Sequence, residues 1–201
     1  MMKAIVLVAS LVLALPGLAQ EPEEIVRDTT DRVIEMIDEN HAHYEENPEA
    51  LREDIREILV PTIDIVYSAR LVLGRHGRGL EEDRIEEFAD ALAEQLLERY
   101  ATALLEYDLR DRFEILPQRG ENSERMTRVR TRIHLDSANR APLDYVFRKN
   151  DGRWQVFDVI VEGISYVSTF RNQIGKEIQR DGFDQMLERL KTGEVELSVD
   201  E

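Results

Sequence analysis

Cysteine is absent from the 201 residues of the sequence. Its absence excludes disulfide bonds, a thiol nucleophile and a lipid anchor on an N-terminal cysteine. Basic residues are also in the minority, since 26 Lys and Arg stand against 42 Asp and Glu, for a formal net charge of −16. We therefore expect neither nucleic acid nor an anionic membrane surface as a direct electrostatic partner.

Long apolar runs are scarce as well. The longest, Ala4–Leu15, follows Lys3 and is itself followed by small residues up to Ala19. This run is too short to cross a bilayer comfortably, which takes about 20 apolar residues. The pattern predicts a secretory signal peptide over residues 1–19, cleaved before Gln20.

The first half of the exported chain is predicted to be helical. Apolar residues recur at steps of three or four in Glu23–Asn40, which indicates an amphipathic helix. Asn47-Pro48 predicts the start of a second helix, because proline is favoured at the first helical position. A third helix is expected over Thr62–Leu73, where Gly74 can end it.

The longest predicted helix is Leu80–Asp108. Small residues such as Ala89, Ala93 and Ala101 widen its apolar surface beyond one face. Small side chains beside large ones leave room for a molecule to lie along the helix. The large apolar residues recur at helical spacing, and they are Ile85, Phe88, Leu92, Leu96, Tyr100, Leu104 and Tyr107.

After Asp108 the apolar residues alternate with polar ones, which predicts β-strands. The first strand is short and contains Phe113 and Ile115. Longer strands are expected over Thr127–Leu135, Leu143–Phe147 and Trp154–Val161, so that four antiparallel strands follow one another in a meander. Two helices, from about Ser168 to Arg180 and from Phe183 to Lys191, complete the chain.

These elements predict an α+β fold that is mostly helical. A curved four-stranded antiparallel sheet of the NTF2-like type, together with a helical lobe, would enclose an apolar pocket. We expect one domain over residues 20–192, with helices over 23–108, the sheet over 111–162 and C-terminal helices over 165–191. Residues 193–201 are expected to form an acidic, frayed tail.

The stretch Arg153–Arg171 holds the only tryptophan and the densest run of β-branched and aromatic residues. Asp158, Glu162 and Arg171 lie in or beside this apolar run. Charged side chains are tolerated in such surroundings only when they are paired. We therefore expect these three residues to form an ion-pair and hydrogen-bond network with a structural role.

The sequence offers little for catalysis or metal binding. His41 and His43 would point apart on a helix, so no metal site and no cofactor are expected. Ser165 has no histidine nearby in sequence. Asp158 is a candidate general base, because curved-sheet domains of this size include isomerases with an acid in an apolar cone.

Several short motifs together resemble one protein family. They closely resemble the MlaC family of periplasmic phospholipid-binding proteins, also called toluene-tolerance auxiliary proteins. The resemblance extends over most of the chain after about Glu23. It is carried by Leu73–Arg75, Phe88 to Tyr100, Trp154–Val159, Glu162–Ser165, Phe170-Arg171 and Gly182–Asp184.

The resemblance implies a soluble component of an ABC-transporter system that carries phospholipid through the periplasm and maintains outer-membrane lipid asymmetry. The implied partners are phospholipid, an inner-membrane Mla-type ABC transporter complex and an outer-membrane lipoprotein–porin complex. We expect a monomer, because no coiled-coil pattern or exposed apolar stripe is evident.

A phospholipid carrier must hide acyl chains in a deep apolar pocket between the sheet and the long helix. Tyrosine suits such a wall, because its ring contacts the chains while its hydroxyl turns to polar atoms. The residues predicted to line the pocket are Leu96, Tyr100, Leu104, Val129, Ile133, Tyr145, Phe147, Trp154, Val156, Val159, Ile164 and Tyr166.

Two other functions fit the same fold prediction. A small-molecule isomerase or hydrolase of the cone-shaped NTF2-like type would use Asp158 as its base, and it requires an unpaired carboxylate deep in the pocket. A purely structural envelope protein would have a solidly packed core. The structure distinguishes these alternatives by what fills the space between sheet and helices.

Overall fold

The computed structural model describes residues 20–105, 112–117, 123–134 and 140–198. The predicted signal peptide, residues 106–108 of the predicted long helix, Leu135 and the last three residues lie outside these ranges. The described part is mostly helical with one antiparallel sheet, so the predicted α+β class is confirmed. The helices are α1 (Pro22–Glu46), α2 (Pro48–Leu59), α3 (Ile65–Leu73), α4 (Glu82–Tyr100), α5 (Tyr166–Asp181) and α6 (Phe183–Lys191).

The sheet contains five strands in the described ranges rather than the predicted four. They pair in chain order as a meander. The additional strand follows a tight turn in which Glu162 and Gly163 both have positive φ, at +50° and +87°. A two-residue turn of this kind matches the twist of the strands it joins. The strands are β1 (Phe113–Ile115), β2 (Met126–His134), β3 (Arg140–Asn150), β4 (Arg153–Val161) and β5 (Ile164–Ser165).

Strand β4 contains a bulge at Phe157. Val156 pairs with Phe147, whereas Asp158 pairs with Val146, so Phe157 is the additional residue. The bulge places Val156 and Val159 on the same face of the sheet, although they are three positions apart in sequence. The ring of Phe157 packs edge-on against Tyr67 of α3, with 5.3 Å between centroids.

Helices α1 and α4 differ most in extent from the prediction, while α3 begins at Ile65 rather than Thr62 and α5 at Tyr166 rather than about Ser168. Helix α1 continues past Asn40 to Glu46, with a kink at Asn40, where φ is −123°. The Asn40 side chain donates a hydrogen bond to the Met36 carbonyl at 3.0 Å, and it therefore competes with the helical backbone bond. Helix α4 ends at Tyr100, after which the chain tightens into a 3-10 turn over Thr102–Leu105.

The buried apolar side chains form three clusters. One lies among α3, α4, α5 and α6, and Phe88 and Ile174 are fully buried in it. The second joins α1 to α2 around Leu51. The third packs the N-terminal end of α1 on the sheet, with Phe147 at its centre. The helical lobe and the sheet therefore meet through α1, α3 and α5.

The segment after α6 is packed, so the prediction of a frayed tail is wrong for residues 193–198. Val195 and Leu197 are each only 3% exposed and belong to the helical core. Gln173 of α5 holds Ser198 through two hydrogen bonds, from its amide nitrogen to the carbonyl oxygen and from the Ser198 N–H to its amide oxygen. Alternation of these apolar residues with Glu194 and Glu196 leaves the acidic side chains exposed.

A polar junction fixes the start of α3 to the sheet. The Asp64 carboxylate accepts a hydrogen bond from the Tyr67 N–H at 3.1 Å and forms an ion pair with Arg148 of β3 at 2.7 Å. The Arg148 guanidinium lies 4.0 Å from the centre of the Tyr67 ring. The Asp64 N–H donates to the Val156 carbonyl at 2.8 Å. Backbone, charge and ring contacts therefore join helix and sheet at one point.

We predict that Arg148→Ala lowers the free energy of unfolding by about 2–3 kcal/mol, because it leaves a nearly buried Asp64 carboxylate without its cation. Arg128→Ala is the matched control, since Arg128 is half-exposed and lies 3.4 Å from Asp144 of the same sheet. The control substitution should lower the free energy of unfolding by less than about 1 kcal/mol. Urea unfolding measures both values, and equal losses would contradict the account of the junction.

Candidate functional site

An apolar cavity of about 370 Å³ lies between β4 and helices α3, α4 and α5. Its wall along α4 and the residue that follows this helix includes small side chains, Ala89, Ala93 and Ala101, which leave space where larger residues would fill it. The remaining wall is almost entirely apolar, and it consists of Ile55, Leu59, Ile63, Ile65, Ser68, Val72, Leu92, Leu96, Leu97, Tyr100, Leu104, Val156, Phe157, Asp158, Val159, Tyr166, Val167 and Phe170.

A second cavity of about 290 Å³ lies between α1 and the inner face of the sheet. Its wall is also apolar apart from three threonines and the hydroxyl of Tyr145. The two cavities are close in size to known small-molecule sites, about 300–1,000 Å³. The lining residues are Ile25, Val26, Thr29, Thr30, Val33, Leu59, Thr62, Ile63, Leu104, Phe113, Ile133, Leu143, Tyr145, Phe147, Val156 and Val159.

The larger and smaller cavities adjoin each other. Five residues line both, namely Leu59, Ile63, Leu104, Val156 and Val159. Val156 and Val159 reach the same face of the sheet because of the bulge at Phe157. The two cavities therefore share one apolar wall, made by the end of α2, the turn after α4 and strand β4.

Nine of the twelve residues predicted for the pocket lie on these walls. Of the other three, Val129 and Trp154 are buried in the core between the sheet and α1. Ile164 is 41% exposed, because it follows the tight turn into β5 at the edge of the sheet. The nine residues on the walls are Leu96, Tyr100, Leu104, Ile133, Tyr145, Phe147, Val156, Val159 and Tyr166.

Sequence reasoning missed the wall that α1 and the α2–α3 junction supply. Ile25, Thr29 and Val33 lie on the face of α1 that the periodicity predicts to be buried. An amphipathic stripe shows that a helix face is covered, but not which element covers it. Leu59 and Ile63 flank Pro61, where the helical pattern stops. The hydrophobic periodicity therefore does not predict which way these two side chains point.

The predicted network of Asp158, Glu162 and Arg171 is not formed among the described residues. The Asp158 carboxylate instead accepts hydrogen bonds from the Ser165 hydroxyl at 2.6 Å and from the Val167 N–H at 3.0 Å. Arg171 donates through Nε to the Leu71 carbonyl at 2.6 Å. Glu162 is exposed in its turn. The start of α5 satisfies Asp158, because its free N–H groups favour an anion.

The Tyr100 hydroxyl is buried and has no hydrogen-bond partner among the residues that the structure describes. By contrast, the Ser68 hydroxyl on the same wall has hydrogen-bond partners. It lies 2.9 Å from the carbonyl oxygen of Asp64 and 2.8 Å from that of Phe157. A buried hydroxyl without a partner costs about 1–3 kcal/mol. Tyr100 is thus a polar group held in apolar surroundings at the cavity wall.

Tyr145 marks the polar point of the smaller cavity. Burial raises the pKa of its hydroxyl to about 12, although its side chain is only half-buried. The two observations agree if the open side of the ring faces the cavity rather than bulk water. The cavity therefore provides an apolar environment for what lies in it.

The described residues contain no group of three or more His, Cys, Asp or Glu side chains able to hold a metal ion. Across the same ranges, every helix falls short of the length and apolar character needed to cross a membrane. The site is therefore described by its two apolar cavities and the few polar groups on their walls.

A family model described as MlaC protein matches residues 27–192. The chain belongs to the MlaC family. This assignment confirms the resemblance drawn from the motifs around Trp154–Val159 and Gly182–Asp184. The matched range covers all six helices of the MlaC-family protein except the start of α1, and it contains every residue of the two cavity walls except Ile25 and Val26.

Two curated relatives of this MlaC-family protein cover most of its length. The toluene tolerance protein ttg2D of Pseudomonas putida is 28% identical over 167 residues, which are 83% of this chain and 77% of the relative. The intermembrane phospholipid transport system binding protein MlaC of Haemophilus influenzae is 24% identical over 177 residues, 85% of this chain and 80% of the relative.

A solved structure shares the fold. It is the phospholipid-binding protein of Ralstonia solanacearum in complex with a phospholipid, and the similarity has a TM-score of 0.77. The match covers 89% of this chain and 99% of the other, at 20% sequence identity. The arrangement of helices around the sheet is therefore that of a known fold.

We predict that Tyr100→Phe raises the free energy of unfolding by about 1 kcal/mol, because it removes a buried hydroxyl without a partner. Tyr44→Phe is the matched control, since the Tyr44 hydroxyl donates to the Asp54 carboxylate at 2.5 Å. Loss of that bond should instead lower stability by about 1–3 kcal/mol. Urea unfolding of both variants tests the contrast, and a loss of stability in both would contradict it.

Tyrosine ionisation provides a pH prediction. Burial raises the pKa of Tyr44 to about 12, with a further contribution from its hydrogen bond to Asp54, and burial does the same for Tyr145. The folded state keeps these protons at a pH where the unfolded tyrosines, with pKa about 10, have lost them. Their stabilisation is therefore complete below about pH 10 and declines as the pH rises towards about 12.

A tyrosinate absorbance titration of the folded protein should show late ionisation of Tyr44 and Tyr145, and Tyr145→Phe should remove one late group. Simultaneous ionisation of every tyrosine near pH 10 while the protein remains folded would contradict the desolvated position of Tyr145.

Proposed function

We propose that this protein is a periplasmic phospholipid carrier that moves lipid between an inner-membrane ABC transporter complex and an outer-membrane complex. The observation that supports this most strongly is the pair of adjoining apolar cavities, 370 and 290 Å³, inside an acidic protein. A phospholipid has two apolar chains joined at one glycerol, and the shared wall at Leu104 matches this branching. One chain occupies each cavity.

Burial of the chains supplies the binding free energy. An acyl chain has more than a dozen methylenes, and each contributes about 0.8 kcal/mol when it leaves water, or about 10 kcal/mol for a whole chain. This driving force does not require any polar group in the cavities. The unpaired Tyr100 hydroxyl can meet an ester oxygen of the cargo, so that its desolvation is compensated in the loaded state.

The head group stays outside the cavities. Among the residues that the structure describes, no Arg or Lys lies on either wall, so these walls offer no cation to a phosphate. Selectivity for the head group is therefore weak, and the cargo is chosen by its acyl chains. Because burial of a phosphate without a cation is costly, the lipid enters with its chains inward and its head group towards water.

The names of the relatives support the transport role. The Haemophilus influenzae relative is a binding protein of an intermembrane phospholipid transport system, and the Ralstonia solanacearum neighbour was solved with a phospholipid. In our proposal the chain is one monomeric domain, exported by its signal peptide. The predicted domain, residues 20–192, is extended by the packed segment 193–198. Lipid equilibrates by mass action between its cavities and those of the two membrane complexes, and no bond is made or broken.

Catalysis by Asp158 is the alternative that the cavity geometry supports less well. A general base needs a free carboxylate in reach of the substrate. Asp158 lies on the wall of the larger cavity, but its two oxygens accept bonds from Ser165 and Val167 at the start of α5. This arrangement supports a positioning role for α5 rather than turnover. The open cavities likewise disfavour a purely structural protein with a solid core.

We predict that Leu104→Trp reduces the amount of bound phospholipid at least about fivefold, because Leu104 lines both cavities and an indole there removes space for both chains. Ile164→Trp is the matched control, since Ile164 is exposed and lines neither cavity. Native purification, extraction with organic solvent and mass spectrometry measure the lipid content.

Wild-type protein and Ile164→Trp should both carry phospholipid, and circular dichroism should show that Leu104→Trp is folded. The carrier proposal would be contradicted if the wild-type extract contained no phospholipid and the protein took up no phospholipid from labelled vesicles. Equal lipid content in Leu104→Trp and Ile164→Trp would show that the lipid binds outside the cavities.

A further inference from the structure

A basic cleft of about 600 Å³ lies on the outer side of α3 and α5, next to the loop Gly74–Gly79. Its lining includes Arg70, Arg75, Arg78 and Arg171, together with His76, and it contains no carboxylate. This composition is unusual in a chain with 42 acidic and 26 basic residues. Four arginines around one concave surface therefore form a local positive site on an acidic protein.

Three of these guanidinium groups have no carboxylate partner in the described ranges. Arg70 is paired with Glu82. Arg75 contacts only the His76 ring, at 3.3 Å, and Arg171 donates to the Leu71 carbonyl. No partner is found for the Arg78 side chain within the described residues. Unpaired arginines retain the planar pairs of donors that recognise carboxylates and phosphates.

The backbone positions two of the cleft's basic side chains. Arg171 is held to α3 by its bond of 2.6 Å to the Leu71 carbonyl. It passes over Gly74, where a Cβ atom would lie 3.5 Å from its Cδ. In the same way the His76 ring lies over Gly175, 3.8 Å from where a Cβ would be. Because glycine has no side chain, Arg171 of α5 can pass over Gly74, and His76 of the loop can pass over Gly175. These side chains are held in place before a ligand binds, so less conformational entropy is lost on binding.

We propose that this cleft docks an acidic segment of a partner protein, one in which several Asp or Glu side chains are close together. The arginines come from three elements, α3, the loop and α5, so they are spread to meet several carboxylates rather than one small anion. Leu71 supplies apolar surface, and Asn172 and Gln179 supply amides for a peptide backbone.

A membrane surface fits the cleft less well. A bilayer is flat whereas the cleft is concave, and the net charge of −16 repels an anionic lipid surface as a whole. A peptide segment enters the cleft locally, within the range over which salt does not screen its carboxylates, about 8 Å at physiological ionic strength.

The cleft and the larger cavity lie on opposite sides of the same two helices. Val72 of α3 and Phe170 of α5 line the cavity, while their neighbours Leu71 and Arg171 line the cleft. A partner bound in the cleft therefore leaves the cavity walls free. The docking proposal goes beyond lipid binding and does not depend on it.

The test uses fluorescently labelled hexaglutamate as the probe, with fluorescence anisotropy as the readout at low salt. The double variant Arg75→Gln/Arg78→Gln removes two exposed cations from the cleft. Its control, Arg27→Gln/Arg32→Gln, makes the same change in net charge on the exposed face of α1. We expect the cleft variant to bind at least about tenfold more weakly and the control to change by less than about twofold.

Binding of hexaglutamate should weaken with rising salt, and unfolding curves and lipid content should match the wild type in both double variants. Equal weakening in both variants would overturn the proposal in favour of non-specific attraction. Absence of hexaglutamate binding would also overturn it. So would cleft-dependent binding of inorganic phosphate or of phosphatidylglycerol vesicles that is as tight as that of the peptide, since either would make the site an anion or membrane site.

Discussion

The constraint that governs this structure is the cost of keeping apolar space unfilled inside a protein. The wall of the larger cavity, of about 370 Å³, is almost entirely apolar, and apolar surface that stays in contact with water forgoes about 25 cal/mol per Å² of burial. The net stability of a whole domain is only about 5–15 kcal/mol, so such a surface is a sizeable cost. Water does not relieve this cost, because the walls offer it few partners. The acyl chains of the proposed cargo would cover this apolar surface, so in our proposal lipid binding also stabilises the fold.

The scaffold keeps this space open by joining its layers at few points. Asp64, Arg148 and Tyr67 fix α3 to the sheet at one edge of the cavities. Asp158 fixes the start of α5 at another. Between these points alanines on α4 and the bulge in β4 hold the walls apart. Polar contacts at the rim thus hold the layers together where interlocked side chains would do so in a solid core.

Much of the fold follows from local patterns in the sequence. The helical stripe of α4 and its alanines predict an apolar wall with room beside it, and Asn47-Pro48 marks the start of α2. Other features have no local pattern. The bulge at Phe157 is one additional residue in an apolar run, and Arg171 contacts a carbonyl 100 residues away in sequence. The cover that α1 gives the sheet depends on tertiary packing, so periodicity predicts its buried face but not its partner.

The most direct test of the account is a crosslinking map with a phospholipid that carries a photoactivatable diazirine in each acyl chain. Peptide mass spectrometry after irradiation should place crosslinks on the walls of both cavities, on α4 near Leu96, on α1 near Thr29 and on the shared residue Leu104. Crosslinks confined to exposed residues, or to one cavity alone, would contradict the assignment of one acyl chain to each cavity.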